Sequence, residues 1–134
     1  MTSDRKMLTI LAVTGMLAVA IGAFGAHGLK PKLSETLLNT FQTGVSYHFY
    51  HLLAMSFAYL LYIHTEHTWV RRGFWCFLAG IILFSGSLYL LSTRELIGLT
   101  SYKWLGPLTP IGGVCFIFGW ISILISAYQE RGSQ

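Results

Sequence analysis

The chain has 134 residues, of which 54% are hydrophobic, 15% aromatic and only 10% charged, against roughly 25% charged in an ordinary soluble domain. That length allows one domain, residues 1–134, so the apolar excess is too large for a buried core and must face lipid. The net charge of +4 comes from residues outside the long apolar runs, which places it at membrane surfaces beside anionic headgroups and leaves no footprint for nucleic acid.

Four stretches approach the roughly 20 apolar residues that a helix needs to cross a bilayer. They are Leu8–Ala26, Val45–Ile63, Phe74–Leu91 and Ile111–Tyr128, and none contains Asp, Glu, Lys or Arg. Helices satisfy every backbone polar group within the segment, so the expected fold is an all-α, integral membrane four-helix bundle. Arg5 and Lys6 before the first stretch, with Ala23 and Gly25 near its end, also suit a cleavable signal sequence. The length of the apolar run and its glycine spacing favour a retained span. Between the first two spans Ser34 can cap a short interfacial helix, with Leu33, Leu37, Leu38 and Phe41 on its apolar side. The connection His64–Gly73 is short and basic. The last connection, Ser92–Pro110, closes with Pro107 and Pro110, a restricted approach to the fourth span.

Four spans put both termini on one side. That side carries Arg5, Lys6, Arg71, Arg72 and Arg131, and the other carries Lys30, Lys32, Arg94 and Lys103, a bias that favours cytoplasmic termini. Trp69, Trp75 and Tyr62 would form the inner aromatic belt, and Tyr89, Tyr102 and Trp104 the outer one.

Small residues recur at helical spacing: Gly15, Ala18, Gly22 and Gly25 in the first span, Gly80 and Gly86 in the third, Gly112, Cys115, Gly119, Ser122 and Ser126 in the fourth. Such faces let helix backbones approach closely, either to build the bundle or to join subunits. Cys76 and Cys115 start antiparallel spans, a depth offset that disfavours a disulfide and leaves both as small packing residues. Trp120 lies mid-span, and Ser85 and Ser87 are candidate partners for its indole N–H.

The histidines are the sharpest signal. His27 ends the first span, and His48 and His51 lie on one face at the start of the second, with Tyr47 and Tyr50 beside them. His27 and His51 are expected to face the bundle. Three imidazoles in reach of one another could hold a metal or a haem, or change charge together. Their alternative role is interfacial hydrogen bonding, as for His64 and His67 beside Glu66. The spans offer no buried carboxylate or activated nucleophile, which argues against an enzyme and against proton-coupled transport; no cofactor is expected.

Several segments together resemble a known family: Gly22-Ala23-Phe24-Gly25-Ala26-His27-Gly28-Leu29, Tyr47 with His51, Leu83-Phe84-Ser85-Gly86-Ser87-Leu88-Tyr89, and Thr109-Pro110-Ile111-Gly112-Gly113 with Gly119-Trp120. The pattern is similar to that of the YgdD/YwdK-type small membrane proteins, the family of domain of unknown function number 423, whose eukaryotic relatives are small transmembrane proteins. The resemblance spans nearly the whole chain. It implies a four-span bacterial inner-membrane protein with an uncleaved first helix, and it supplies no reaction, ligand or catalytic residue. His27 and His51 fall on its motif positions, whereas His48 does not. Three function classes follow: a non-enzymatic component that associates with itself or a larger membrane protein, a conduit or carrier for a small neutral or apolar molecule, and a metal or haem site at the histidines.

Overall fold

In the computed structural model the described residues are 3–131, without the side chains of 130 and 131. Arg131, counted above with the basic residues, therefore has no described side chain. The described residues form helices and connections, with no strand. Helix α1, Ser3–Phe24, runs directly into a π-helical turn, Gly25–Leu29. After a short connection α2 extends over Glu35–Thr65. The third long helix is composite: α3, Thr68–Gly80, a π-helical turn, Ile81–Ser85, and α4, Gly86–Thr93. Helix α5 covers Leu105–Arg131.

Three of these helices, Ser3–Leu29, Thr68–Thr93 and Leu105–Gln129, are long and apolar enough to cross a membrane. Helix α2 is the least apolar of the four because His48, His51 and the tyrosines Tyr47, Tyr50, Tyr59 and Tyr62 interrupt its aliphatic residues.

The interfacial helix expected after Ser34 does not exist as a separate element. Ser34 does cap, its Oγ accepting from the Leu37 N–H at 3.4 Å, but the helix that it starts continues through Gln42, Thr43 and Gly44 into the next apolar run. No proline or left-handed residue stops it there, and Gly44 is needed on the helix because a Cβ would press on the Tyr89 ring. The stop comes at Glu66, which adopts a left-handed conformation (φ 51°) and donates its N–H to the Tyr62 carbonyl at 2.7 Å. The prolines also sit differently from expectation. Helix α5 begins six residues before Ile111, so that Pro107 and Pro110 lie within its first turns, where few backbone N–H groups have helical partners.

Helix α2 is the centre of the molecule. It packs against α1 on one side and against α3, its π turn and α4 on the other, while α5 packs on the α3–α4 helix. The core consists of Met7, Ala54, Met55, Ala58, Tyr62, Val70, Phe74, Phe77, Ile81 and Phe116. Tyr62, expected in the inner belt, is therefore a core residue. The small residues face inward between these helices. A Cβ at Gly25 would strike the Phe41 ring, at Gly80 the Phe116 ring, at Gly119 the Phe77 ring, and at Gly112 the backbone of Phe84. Gly15 and Gly22 meet Leu52 and Val45 at ordinary contact distances of 3.7 and 3.4 Å. Gly86 is different: a Cβ there would meet nothing within 4 Å.

Candidate functional site

Of the three histidines of α2, His48 and His51 are buried, but these two do not share a site. His51, 9% exposed, stacks face to face on Phe116 with ring centroids 3.3 Å apart. Its Nδ1 lies 2.9 Å from the Tyr47 carbonyl; a carbonyl only accepts, so Nδ1 carries the proton. His48, 4% exposed, turns toward α4, where its Nδ1 meets the Tyr89 hydroxyl at 3.1 Å. Three residues along a helix is roughly 60° short of a full turn, enough to give neighbouring histidines different partners.

His27 is exposed, which corrects the expectation that it faces the bundle. It sits in the π turn after Phe24, where the wider i→i+5 winding changes which residues point inward: Gly25 and Leu29 are buried and His27 is not. The cluster of His27, His48 and His51 is thus not assembled. Among the described residues no three His, Cys, Asp or Glu side chains converge as metal ligands. His64 donates Nδ1–H to the Leu60 carbonyl at 2.7 Å, and His67 caps α3, its Nδ1 accepting from the Trp69 N–H at 3.2 Å. Cys76 and Cys115 are free thiols. Trp120 points outward at 50% exposure, with its ring edge-on to Phe77, and Ser87 bonds instead to Thr109 at 2.7 Å.

Between α1 and the α3–α4 helix lies a cleft of about 440 Å³, within the roughly 300–1,000 Å³ of small-molecule sites. Thr9, Val13, Thr14 and Leu17 line it from α1, and Leu78, Ile82, Gly86 and Tyr89 from the facing helix. His48 is the residue that α2 contributes. The open side of Gly86 belongs to this cleft, and the neighbouring π turn, closed by the Gly86 N–H donating to the Ile81 carbonyl, contributes Ile81 and Ile82 to its wall. The threonine O–H donors are already used: Thr9 donates to the Arg5 carbonyl and Thr14 to that of Ile10, each at 2.7 Å. His48 Nε2 is not; it and Ser85 Oγ are the buried side-chain polar atoms without a partner among the described residues. A second cleft, about 340 Å³, lies further along the same pair of helices, between Phe24 and Leu29 on one side and Thr93, Leu96 and Ile97 on the other, with Lys32 at its edge.

Tyr89, expected in the outer aromatic belt, instead turns inward onto His48. The signal that marks it is Ser85, Tyr89 and Ser92 at intervals of four and three, a polar stripe on one face of an apolar helix.

Residues 21–113, more than half of the chain, match the family model described as "Protein of unknown function (DUF423)". The chain belongs to the DUF423 family. Its relatives carry the name UPF0382 membrane protein. YwdK of Bacillus subtilis is 44% identical over 126 residues, covering 92% of this chain and 98% of that protein. A relative from Staphylococcus aureus is 43% identical, covering 95% and 99%, and one from Haemophilus influenzae is 36% identical, covering 95% and 97%. No solved structure matches. DUF423 membership makes the chain a membrane protein of a family with no assigned activity.

Proposed function

We propose that this DUF423 protein is a non-enzymatic, four-span component of the bacterial plasma membrane that holds a small, neutral, mostly apolar molecule between its helices. The fourth span is α2. Its 31 residues extend about 46 Å, beyond the ~30 Å of hydrocarbon, and from Thr36 to Thr65 it carries no Asp, Glu, Lys or Arg. An even number of spans sets both termini on one side, and the basic residues favour the cytoplasm for that side.

The observation that carries the binding role is the cleft between α1 and the α3–α4 helix, apolar on both walls and reaching the buried His48. The test is mass spectrometry of small molecules that stay with the protein through purification in a mild detergent, compared with Gly86→Leu. Leucine at this position fills the cleft without displacing a neighbour at its Cβ. A compound retained by the wild type and lost from Gly86→Leu is the expected result; identical compounds in both would overturn the role.

A second reading is association with another copy or with a larger membrane protein. It draws on α1, which packs principally on α2 and turns Leu8, Met16 and Val19 outward. The inward-facing glycines do not contribute to it. Mass determination of the detergent-solubilised complex separates a monomer from an assembly.

A further inference from the structure

We infer that the cleft selects a neutral amphiphile that offers one hydroxyl or carbonyl oxygen to His48. This rests on the proposed occupancy of the cleft and adds the chemistry of the occupant.

Charge is excluded first. No Asp, Glu, Lys or Arg lines the cleft, and an ionised group at this depth would have neither water nor a counter-charge. A purely hydrocarbon occupant, such as the tail of a bulk lipid, would fill the walls but leave His48 Nε2 without a partner, and a buried polar group in that condition is costly. Water would need two to four polar partners, and apart from His48 the cleft is lined by aliphatic side chains with only Thr9, Thr14 and Tyr89 to offer oxygen, the threonine protons being already donated to their own helix. The Thr14 backbone lies beside the imidazole without completing a hydrogen bond to Nε2.

The His48–Tyr89 bond fixes what Nε2 can do. When the tyrosine hydroxyl donates to Nδ1, Nε2 carries the proton and seeks an acceptor such as a carbonyl. When Nδ1–H donates to the tyrosine, Nε2 is bare and seeks a hydroxyl donor. Both cases call for one neutral oxygen on an apolar body. The body would lie along Thr9–Leu17, eight residues of rise or about 12 Å.

The experiment uses the full-length protein in lipid nanodiscs with nitrogen-labelled histidine, and titrates it with decanol, decanone, decane and decanoate kept above its pKa. The ring nitrogens of His48 report contact, and each Kd is taken from the same titration. Decanol or decanone should move the His48 signal and bind at least about fivefold more tightly than decane, the equivalent of one satisfied hydrogen bond. Decanone at that affinity identifies the protonated Nε2, and decanol alone the bare one. In His48→Phe the preference over decane should vanish; the wild-type comparison stands by itself if that variant does not fold. Decane binding as tightly as decanol would overturn the oxygen requirement and leave the occupancy intact. Decanoate matching decanol would overturn neutrality. Failure of every probe, with no change in Gly86→Leu, would overturn both the ligand class and the occupancy.

Discussion

Tyr89 joins α4 to α2 through a single hydroxyl, and the ring that it reaches has no other side-chain partner. Tyr89→Phe removes the partner of His48 Nδ1 at depth, so stability should fall by about 1–3 kcal/mol. Tyr50, a residue 62% exposed, is the control, and Tyr50→Phe should leave the midpoint of thermal denaturation in detergent unchanged. Equal midpoints for both variants would show that the bond contributes nothing. The sequence marks His51 as an inward residue of α2 and puts His48 on the same face, but it cannot assign their partners, because these come from helices 41 and 65 residues further along the chain. His27 was misread for a local reason: the π turn around it changes the winding, and neither composition nor spacing announces such a turn.

At the level of helices, glycine position decides how close two backbones come. Gly112 faces the Phe84 backbone, whereas Gly80 and Gly119 face the buried rings of Phe116 and Phe77, which are side chains and not main chain. Gly112→Ala should therefore be the most damaging of the three, by about 1–3 kcal/mol, and Gly22→Ala should be close to neutral because its neighbours already sit at contact distance. Unfolding in denaturant ranks them, and a neutral Gly112→Ala would refute the close approach of α5 to the π turn Ile81–Ser85. The start of α3 offers a second test. His67→Ala removes the acceptor for the Trp69 N–H and should speed amide exchange in the first turn of α3, at a cost of roughly 0.5–2 kcal/mol; His67→Ser restores the cap. Exchange rates that do not change in His67→Ala would remove its capping role. The apolar runs made the long helices legible from sequence. Their ends were not, since α2 and α5 continue through segments that look like connections, held by tertiary contacts at Gly44 and by the bond from Thr109 to Ser87.

For the molecule as a whole, the basic residues predict that reporters fused after Gln134, which lies outside the described residues, are active only when they function in the cytoplasm. Activity of an exported reporter at that position would invert the topology. Every other long helix reaches α2 through packing or stacking, yet α2 is the one whose histidines and tyrosines set it apart from the three helices apolar enough to span alone. The molecule is thus assembled around its weakest membrane-seeking segment. During synthesis α2 leaves the ribosome with only α1 for company, while the partners of His48 and His51 are still unmade. Its residence in the bilayer must then be shared with helices that arrive later. Chains ended after Thr65 should insert α2 poorly in a glycosylation-mapping assay, and chains extended through Thr93 should insert it well; equal insertion at both lengths would mean that α2 needs no help.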